Sequence, residues 1–128
     1  LNTTRVPVES NLEPGDHIPG LPATASRDHM LDHARRHGLA EIPVHREQEP
    51  GEWFAFVRVI ELATGETPIE ELLIELPRVT PNTSRLDALM QLNGAAAPIA
   101  VVVDGNRSVG LVNRRQLTEQ LFEWQAPE

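Results

Sequence analysis

The chain is expected to fold as an α+β protein built from two similar halves, and three observations lead there. The first is near-duplication. Ile42-Pro43-Val44, a turn-rich stretch and the run Trp53-Phe54-Ala55-Phe56-Val57-Arg58-Val59-Ile60-Glu61-Leu62 occupy the middle of the chain. Near its end stand Ile99-Ala100-Val101-Val102-Val103, Asp104-Gly105-Asn106 and Gly110-Leu111-Val112-Asn113-Arg114-Arg115-Gln116-Leu117. The second is spacing. The interval between the helix starts near Ser26 and Thr83 nearly equals that between the closing leucines Leu62 and Leu117. A period above the usual solenoid length, present only twice, describes a tandem pair rather than an array. The third is the order of patterns in each copy: helix, strand, turn, strand, helix. Two strands under helices make an α+β unit, and 128 residues are long enough for a real core.

Element by element, residues 1–19 form an extended arm rich in Pro, Gly and acidic or amide residues. Within it Arg5-Val6-Pro7-Val8 is a candidate short strand and Glu13-Pro14-Gly15-Asp16 a turn. The first repeat spans 20–66. Its helix runs from Ser26 to His37, with Ser26 as N-cap, Asp28 at the positive end, and Met30, Leu31 and Ala34 on one apolar face. Gly38 is the stop. Ile42-Pro43-Val44 is a short strand whose proline must sit at its start or on an edge. Gln48-Glu49-Pro50-Gly51 is a turn. Trp53 to Val59 is β-rich, with Phe54, Phe56 and Val57 available for burial.

Residues 67–78 read as a linker helix with Thr67 as N-cap, Pro68 at the first position, Glu70 and Glu71 in the first turn, and an end before Pro77. The second repeat spans 79–124 and 125–128 is a tail. Its first helix is capped by Asn82 or Thr83, with Leu86, Leu89 and Met90 facing inward. Ile99 to Val103 is an unbroken apolar run and hence a fully buried strand. Asp104-Gly105-Asn106 is a hairpin turn and Ser108 to Val112 the partner strand. A last helix runs from about Arg114 to Glu123 with Leu117, Leu121 and Phe122 on one face.

Composition excludes several classes. The formal net charge is −8, which opposes nucleic acid as a partner, where a basic footprint is needed. The same acidity opposes direct contact with anionic membrane surfaces and otherwise serves solubility. There is no cysteine, so neither disulfide, thiol chemistry nor a Cys-based metal site arises, and a reducing compartment suits the chain. The longest apolar run, Ala95 to Val103, is about half the ~20 residues of a membrane span, so no direct insertion is expected. The chain begins at Leu1 without a signal-peptide profile and reads as part of something longer.

The doubled order of elements resembles the CBS domain pair, or Bateman module, over about residues 20–124. The family's most telling motif, Gly-hydrophobic-x-Thr/Ser-x-x-Asp entering the last helix, is matched in place by Gly110-Leu111-Val112-Asn113-Arg114-Arg115-Gln116 and by Ala55-Phe56-Val57-Arg58-Val59-Ile60-Glu61. Within CBS pairs the chain is most similar to the CNNM/CorC, or hemolysin-like, group. That likeness rests on His37-Gly38 with Ile42-Pro43-Val44 in one copy and on Ala100-Val101-Val102-Val103-Asp104 with Gly110-Leu111-Val112 in the other. Asn2-Thr3-Thr4-Arg5-Val6 resembles the way that group's sequence enters the module.

The resemblance implies a regulatory, non-catalytic module on the cytoplasmic face of a membrane protein related to Mg or Co transport, attached to a membrane domain. It implies a cleft between repeats able to hold an adenosine nucleotide, ATP or AMP. In the family the motif's Asp accepts from the ribose hydroxyls, its Thr or Ser contacts phosphate, strand residues sandwich the adenine, and a nearby Arg or Lys neutralises phosphate. Carried over, the candidate nucleotide-binding residues are Ala100, Gly110, Asn113, Arg114 and Gln116 in the second copy, and Pro43, Arg58 and Glu61 in the first. Neither copy matches the motif in full. Gln116 lacks the charge of Asp, Glu61 is one methylene longer, Arg58 replaces the hydroxyl, and Ala55 replaces the Gly. Asn113 is also a good N-cap and Gln116 a good helix former without any ligand. The degraded motif leaves open a second reading, a dimerisation module that has lost ligand binding. In either case a homodimer through the helices is expected, because the stripes Leu86/Leu89/Met90 and Leu117/Leu121/Phe122 exceed the needs of one small core.

His29, His33 and His37 recur at i, i+4, i+8 on the first helix. Two such histidines can share one metal ion, and the same stripe can equally be a polar boundary beside the apolar face. No metal site is assigned. No Gly-x-Ser-x-Gly, P-loop or His-Glu-x-x-His occurs, and an enzyme is not expected.

Overall fold

Ser26 and Ser84 start the two long helices in the same way. Each has an extended backbone, and each hydroxyl accepts from the amide three residues on: His29 N–H to Ser26 Oγ and Asp87 N–H to Ser84 Oγ, both 3.1 Å. In the computed structural model, which describes Pro7, Val8 and residues 20–125 with side chains to residue 120, the chain divides into two units. The first holds residues 20–76. The second holds Pro7, Val8 and 77–125.

In the first unit the elements are β1 (Leu21–Pro22), α1 (Arg27–His37), β2 (Glu41–His45), β3 (Trp53–Arg58), α2 (Val59–Thr64), α3 (Ile69–Leu72) and β4 (Ile74–Glu75). Their sheet has the order β1-β2-β3-β4, with β1 parallel to β2 and the other pairs antiparallel. Register places Ile42 opposite Val57 and Val44 opposite Ala55. These four form the floor of a core completed by Leu21, by Met30 and Ala34 from α1, and by Leu62 from α2. Phe56, on the opposite face of β3 by strand alternation, is also fully buried. Arg27 ties the helices together: one guanidinium nitrogen donates to Leu62 O at 2.7 Å and the other to Thr67 O.

The second unit repeats the plan with β5 (Arg78–Val79), α4 (Arg85–Ala95), β6 (Ile99–Asp104), β7 (Arg107–Asn113) and α5 (Arg114–Gln125). Its sheet has the order β5-β6-β7, again parallel then antiparallel. β6 is buried from Ala100 to Val103, as its apolar run requires. Asp104 pairs with Arg107 across a two-residue turn, and Gly105 takes the positive φ of 66° that the turn demands. Val8 is fully buried in this unit, its N–H donating to Thr83 O at 2.8 Å.

Several expectations are corrected. The N-cap of α4 is Ser84, not Asn82 or Thr83. Thr83 is engaged instead with Thr80, whose N–H donates to Thr83 Oγ1 at 3.1 Å. The inward face of α4 is Ala88 and Leu92, with Leu89 half-buried, whereas Leu86 and Met90 are 39% and 61% exposed. The reason lies in the repeat. Met30 and Ala34 of α1 precede Ala88 and Leu92 by one and the same interval, so both helices bury one large and one small side chain at the same two positions, in reversed order. Size alone points to the wrong face. The helix expected over residues 67–78 is a single turn, Ile69–Leu72, capped at Pro68 and followed by β4.

Pro43 is in the middle of an interior strand rather than at a start or edge. Its carbonyl oxygen lies against Gly20, so this flank of Pro43 faces the β1 side. β1 pairs only with Val44 and His45, and the missing N–H therefore breaks no ladder bond. The turn expected at Glu13–Asp16, the Asn2–Val6 segment and the side chains of Leu121 and Phe122 lie outside the described residues.

The C-caps generate a test. Gly38 and Ala96, separated by that same interval, both adopt the left-handed conformation, at φ 64° and 53°. Only Ala96 carries a Cβ there, at a cost of roughly 1–2 kcal/mol. Ala96→Gly is expected to raise stability by about 0.5–1 kcal/mol and Gly38→Ala to lower it by about 1 kcal/mol, read from urea unfolding. Shifts of the same sign at both positions would contradict the assignment.

Candidate functional site

Each unit sends a central or last sheet strand directly into a helix, and the same backbone bond fixes both junctions. Val59 N–H donates to Ala40 O at 2.9 Å in the first, and Arg114 N–H to Pro98 O at 2.8 Å in the second. Leu62 and Leu117, fully buried one turn into α2 and α5, anchor the helices to their sheets. This matches Ala55 with Gly110, Arg58 with Asn113, and Glu61 with Gln116 at equivalent places, all at one common offset.

In the second unit Gly110 is buried and pairs with Val102, beside a register shift between Val102 and Val103. Ala100 is fully buried opposite Val112. Asn113 ends β7 and caps α5: its Oδ1 accepts from Gln116 N–H at 2.7 Å. Among the described residues the amide NH2 of Asn113 has no hydrogen-bond partner, and the residue is exposed. Gln116 is half-buried in the first turn of α5. Arg114 is exposed, whereas neighbouring Arg115 lies 3.5 Å from Glu119. Asn113, Arg114 and Gln116 thus converge at the positive end of a 12-residue helix, with Gly110 just upstream on β7.

In the first unit Pro43 is buried opposite Phe56, while Arg58 pairs in register with Glu41. Arg58 is the N-cap residue of α2 but makes no side-chain cap bond, and Glu61 is half-buried in the first turn. The first junction therefore has a carboxylate and an arginine where the second has two amides. Pro43 sits mid-strand, away from Arg58 and Glu61 at the strand's end. Sequence reasoning missed one feature here. Among the described residues, Trp53 Nε1 is the buried side-chain polar atom without a hydrogen-bond partner. Trp53 lies so close to Gly20 that a Cβ there would clash with its ring. An isolated glycine before a strand carries no signal for that contact.

No protein-family model matches the sequence, and no curated protein matches it at a significant level. Solved structures do match. The CBS domain of a bacterial CNNM/CorC family Mg2+ transporter in complex with ATP superposes with a TM-score of 0.83 at 19% identity, over 94% of this chain and 89% of that one. The CBS domain of a putative transporter from Clostridium difficile 630 gives 0.78 at 17% identity, over 94% and 96%. A CBS-domain pair with bound AMP from Klebsiella pneumoniae gives 0.73 at 18% identity, over 91% and 98%.

The chain has the fold of a CBS-domain pair. The two units share the order β-α-β-β-α, an α+β arrangement as expected from the sequence, with a leading strand that the expected helix, strand, turn, strand, helix order lacked. Among the described residues, no helix is long and apolar enough to cross a membrane, and no group of three or more His, Asp or Glu could hold a metal ion. The two strand-to-helix junctions differ in capping, and that difference is measurable. Asn113→Ala removes the side-chain cap of α5 and is expected to cost about 1 kcal/mol, while Asn113→Asp retains most of it. Urea unfolding of both variants checks this; equal losses would mean that the cap bond contributes nothing.

Proposed function

We propose that this CBS pair is a regulatory, non-catalytic module of a membrane protein related to divalent-cation transport, of the Mg or Co type, and that it binds an adenosine nucleotide. The observation that carries the reading is fold coverage. The match to an ATP-bound CNNM/CorC CBS domain takes in 94% of this chain and 89% of that one. A membrane domain attached to the module and a position on the cytoplasmic face belong to the same reading. The mechanism is conformational: a ligand that binds one geometry of the module better than another biases whatever is attached to it.

The β7–α5 junction is the better nucleotide site of the two. Gly110 lets a ligand approach backbone closely, Asn113 NH2 donates to phosphate, and Arg114 supplies charge at a helix N-terminus. Arg58 and Ala55 offer neither a free amide nor a glycine. Gln116 lacks the charge that strengthens a bond to ribose hydroxyls, a deficit of about 1–2 kcal/mol against aspartate. Gln116→Asp is therefore expected to tighten ATP or AMP binding roughly tenfold by calorimetric titration. An unchanged affinity together with loss of binding in Glu61→Ala would move the site to the first junction.

A second reading, a dimerisation module without a ligand, is favoured by the incomplete motif in both copies. Leu86 and Met90, exposed on α4, support association of two copies through helices in either reading. Sedimentation is expected to show a homodimer at tens of micromolar protein, and Met90→Glu to shift it toward monomer. A wild-type monomer at that concentration would remove both the dimer and the second reading.

A further inference from the structure

The sheet β5-β6-β7 has a face that its core does not use. Register pairs Arg78 with Val101, Val101 with Leu111, and Ile99 with Asn113, and residues paired in this way share a face. Val79, Ala100, Val102 and Val112 alternate to the other face, where they match the Leu21, Ile42, Val44 and Val57 that line the helical core of the first unit. On the outer face Val101 is buried, Ile99 and Leu111 are half-buried, and Arg78 and Asn113 are exposed at its two sides. Among the described residues the Arg78 side chain has neither a hydrogen-bond nor an ion-pair partner.

The first unit treats the same place differently. Trp53 stands opposite His45 as Ser108 stands opposite Val103, each beside the same register shift, and Leu21 stands beside Val44 as Val79 stands beside Val102. Arg78 therefore takes the place of Gly20, and Ser108 that of Trp53. A side chain at position 20 would clash with the buried Trp53 ring, so the first unit covers this place with its own indole. Glu41, paired with Arg58, puts a charge where the second unit has Ile99. Only the second unit joins an unpartnered arginine to an apolar surface here.

We propose that Arg78 holds the base of the bound nucleotide, which lies on Ile99 and Leu111 with the guanidinium stacked on its other side. This rests on the nucleotide reading of the β7–α5 junction. With phosphate at Asn113 and Arg114 and ribose at Gln116, the base is the part of the ligand that extends from α5 towards β5. Strands about 4.8 Å apart, rising about 3.3 Å per residue, put Arg78 and Asn113 about 12 Å apart, too far to pair with each other and wide enough for a ligand between them. A guanidinium is planar and weakly hydrated and stacks on aromatic rings, which the point charge of lysine does not reproduce.

Calorimetric titration with adenosine and with ATP tests the assignment. Arg78→Gln is expected to weaken both by the same factor, about three- to tenfold, because the contact is to the base. Arg78→Lys is expected to recover little of that loss, and Arg107→Gln, which removes another exposed arginine of the same sheet, to change neither affinity. Equal urea midpoints for wild type and Arg78→Gln are the control for folding. As a measurement free of mutation, the adenine H2 and H8 protons should give nuclear Overhauser contacts to the Arg78 side chain and to the methyls of Ile99 or Leu111. Weaker ATP binding with adenosine unchanged would put Arg78 at the phosphates and overturn the proposal, as would full recovery in Arg78→Lys or adenine contacts confined to other residues. Unchanged affinities in Arg78→Gln would overturn it while leaving the nucleotide reading in place. Failure of the wild type to bind either compound would remove both.

Discussion

The first amide of the closing helix, bonded back to the carbonyl before the hairpin, is the constraint on which each half of this molecule depends. Val59 N–H reaches Ala40 O and Arg114 N–H reaches Pro98 O, so the chain must leave its hairpin and enter a helix at one defined register. That register buries Leu62 and Leu117 against their sheets. It also puts the final residue of the hairpin, Arg58 or Asn113, at the N-cap, and the residue three further on, Glu61 or Gln116, in the first helical turn. In the second half the side chain at the first of these positions reaches the backbone amide of the other. The Asn113 Oδ1 bond to Gln116 N–H is the visible consequence.

One scaffold constraint is met by different residues in the two halves. Met30 with Ala34 and Ala88 with Leu92 fill equivalent space with the large residue at opposite ends. Such volume-conserving exchanges are what a packed core tolerates. Gly38 and Ala96 close the helices in the same conformation, one without strain and one with it. The hairpin turns differ in length, which is why the offset between the halves is slightly larger over α1 and α4 than over α2 and α5. The capping chemistry differs as well: α5 has a side-chain cap and α2 has none. The fold requires the junction, but not its side chains, and this leaves the two halves free to diverge in what they bind.

Much of this was legible in the sequence because local rules and tertiary structure agree. Ser26 and Gly38 bracket α1 as cap and stop, the Ile99–Val103 run is a strand buried from Ala100 onward, and Gly105 makes the hairpin turn. Where tertiary packing decides, local rules fail. Size places Leu86 and Met90 inward, although the sheet accepts Ala88 and Leu92. Thr83 has cap chemistry but is engaged with Thr80, so Ser84 caps. The two-residue strands β1, β4 and β5 carry too few residues for any periodic signal, and without them Pro43 reads as an edge residue. The equivalence of Ala55, Arg58 and Glu61 with Gly110, Asn113 and Gln116 was legible from the repeat itself. The orphaned indole of Trp53 was not, since it arises beside one close approach to Gly20.

The central claim is that the β7–α5 junction, and not its β3–α2 counterpart, receives an adenosine nucleotide. Backbone amide shifts followed by NMR during titration of the isotope-labelled chain with ATP test it most directly. Saturable shifts are expected to concentrate at Gly110, Arg114, Arg115 and Gln116, with the Gln116 amide sensing any ligand that competes for Asn113. Shifts confined to Ala55, Arg58 and Glu61, or no saturable shift at millimolar ATP, would contradict it.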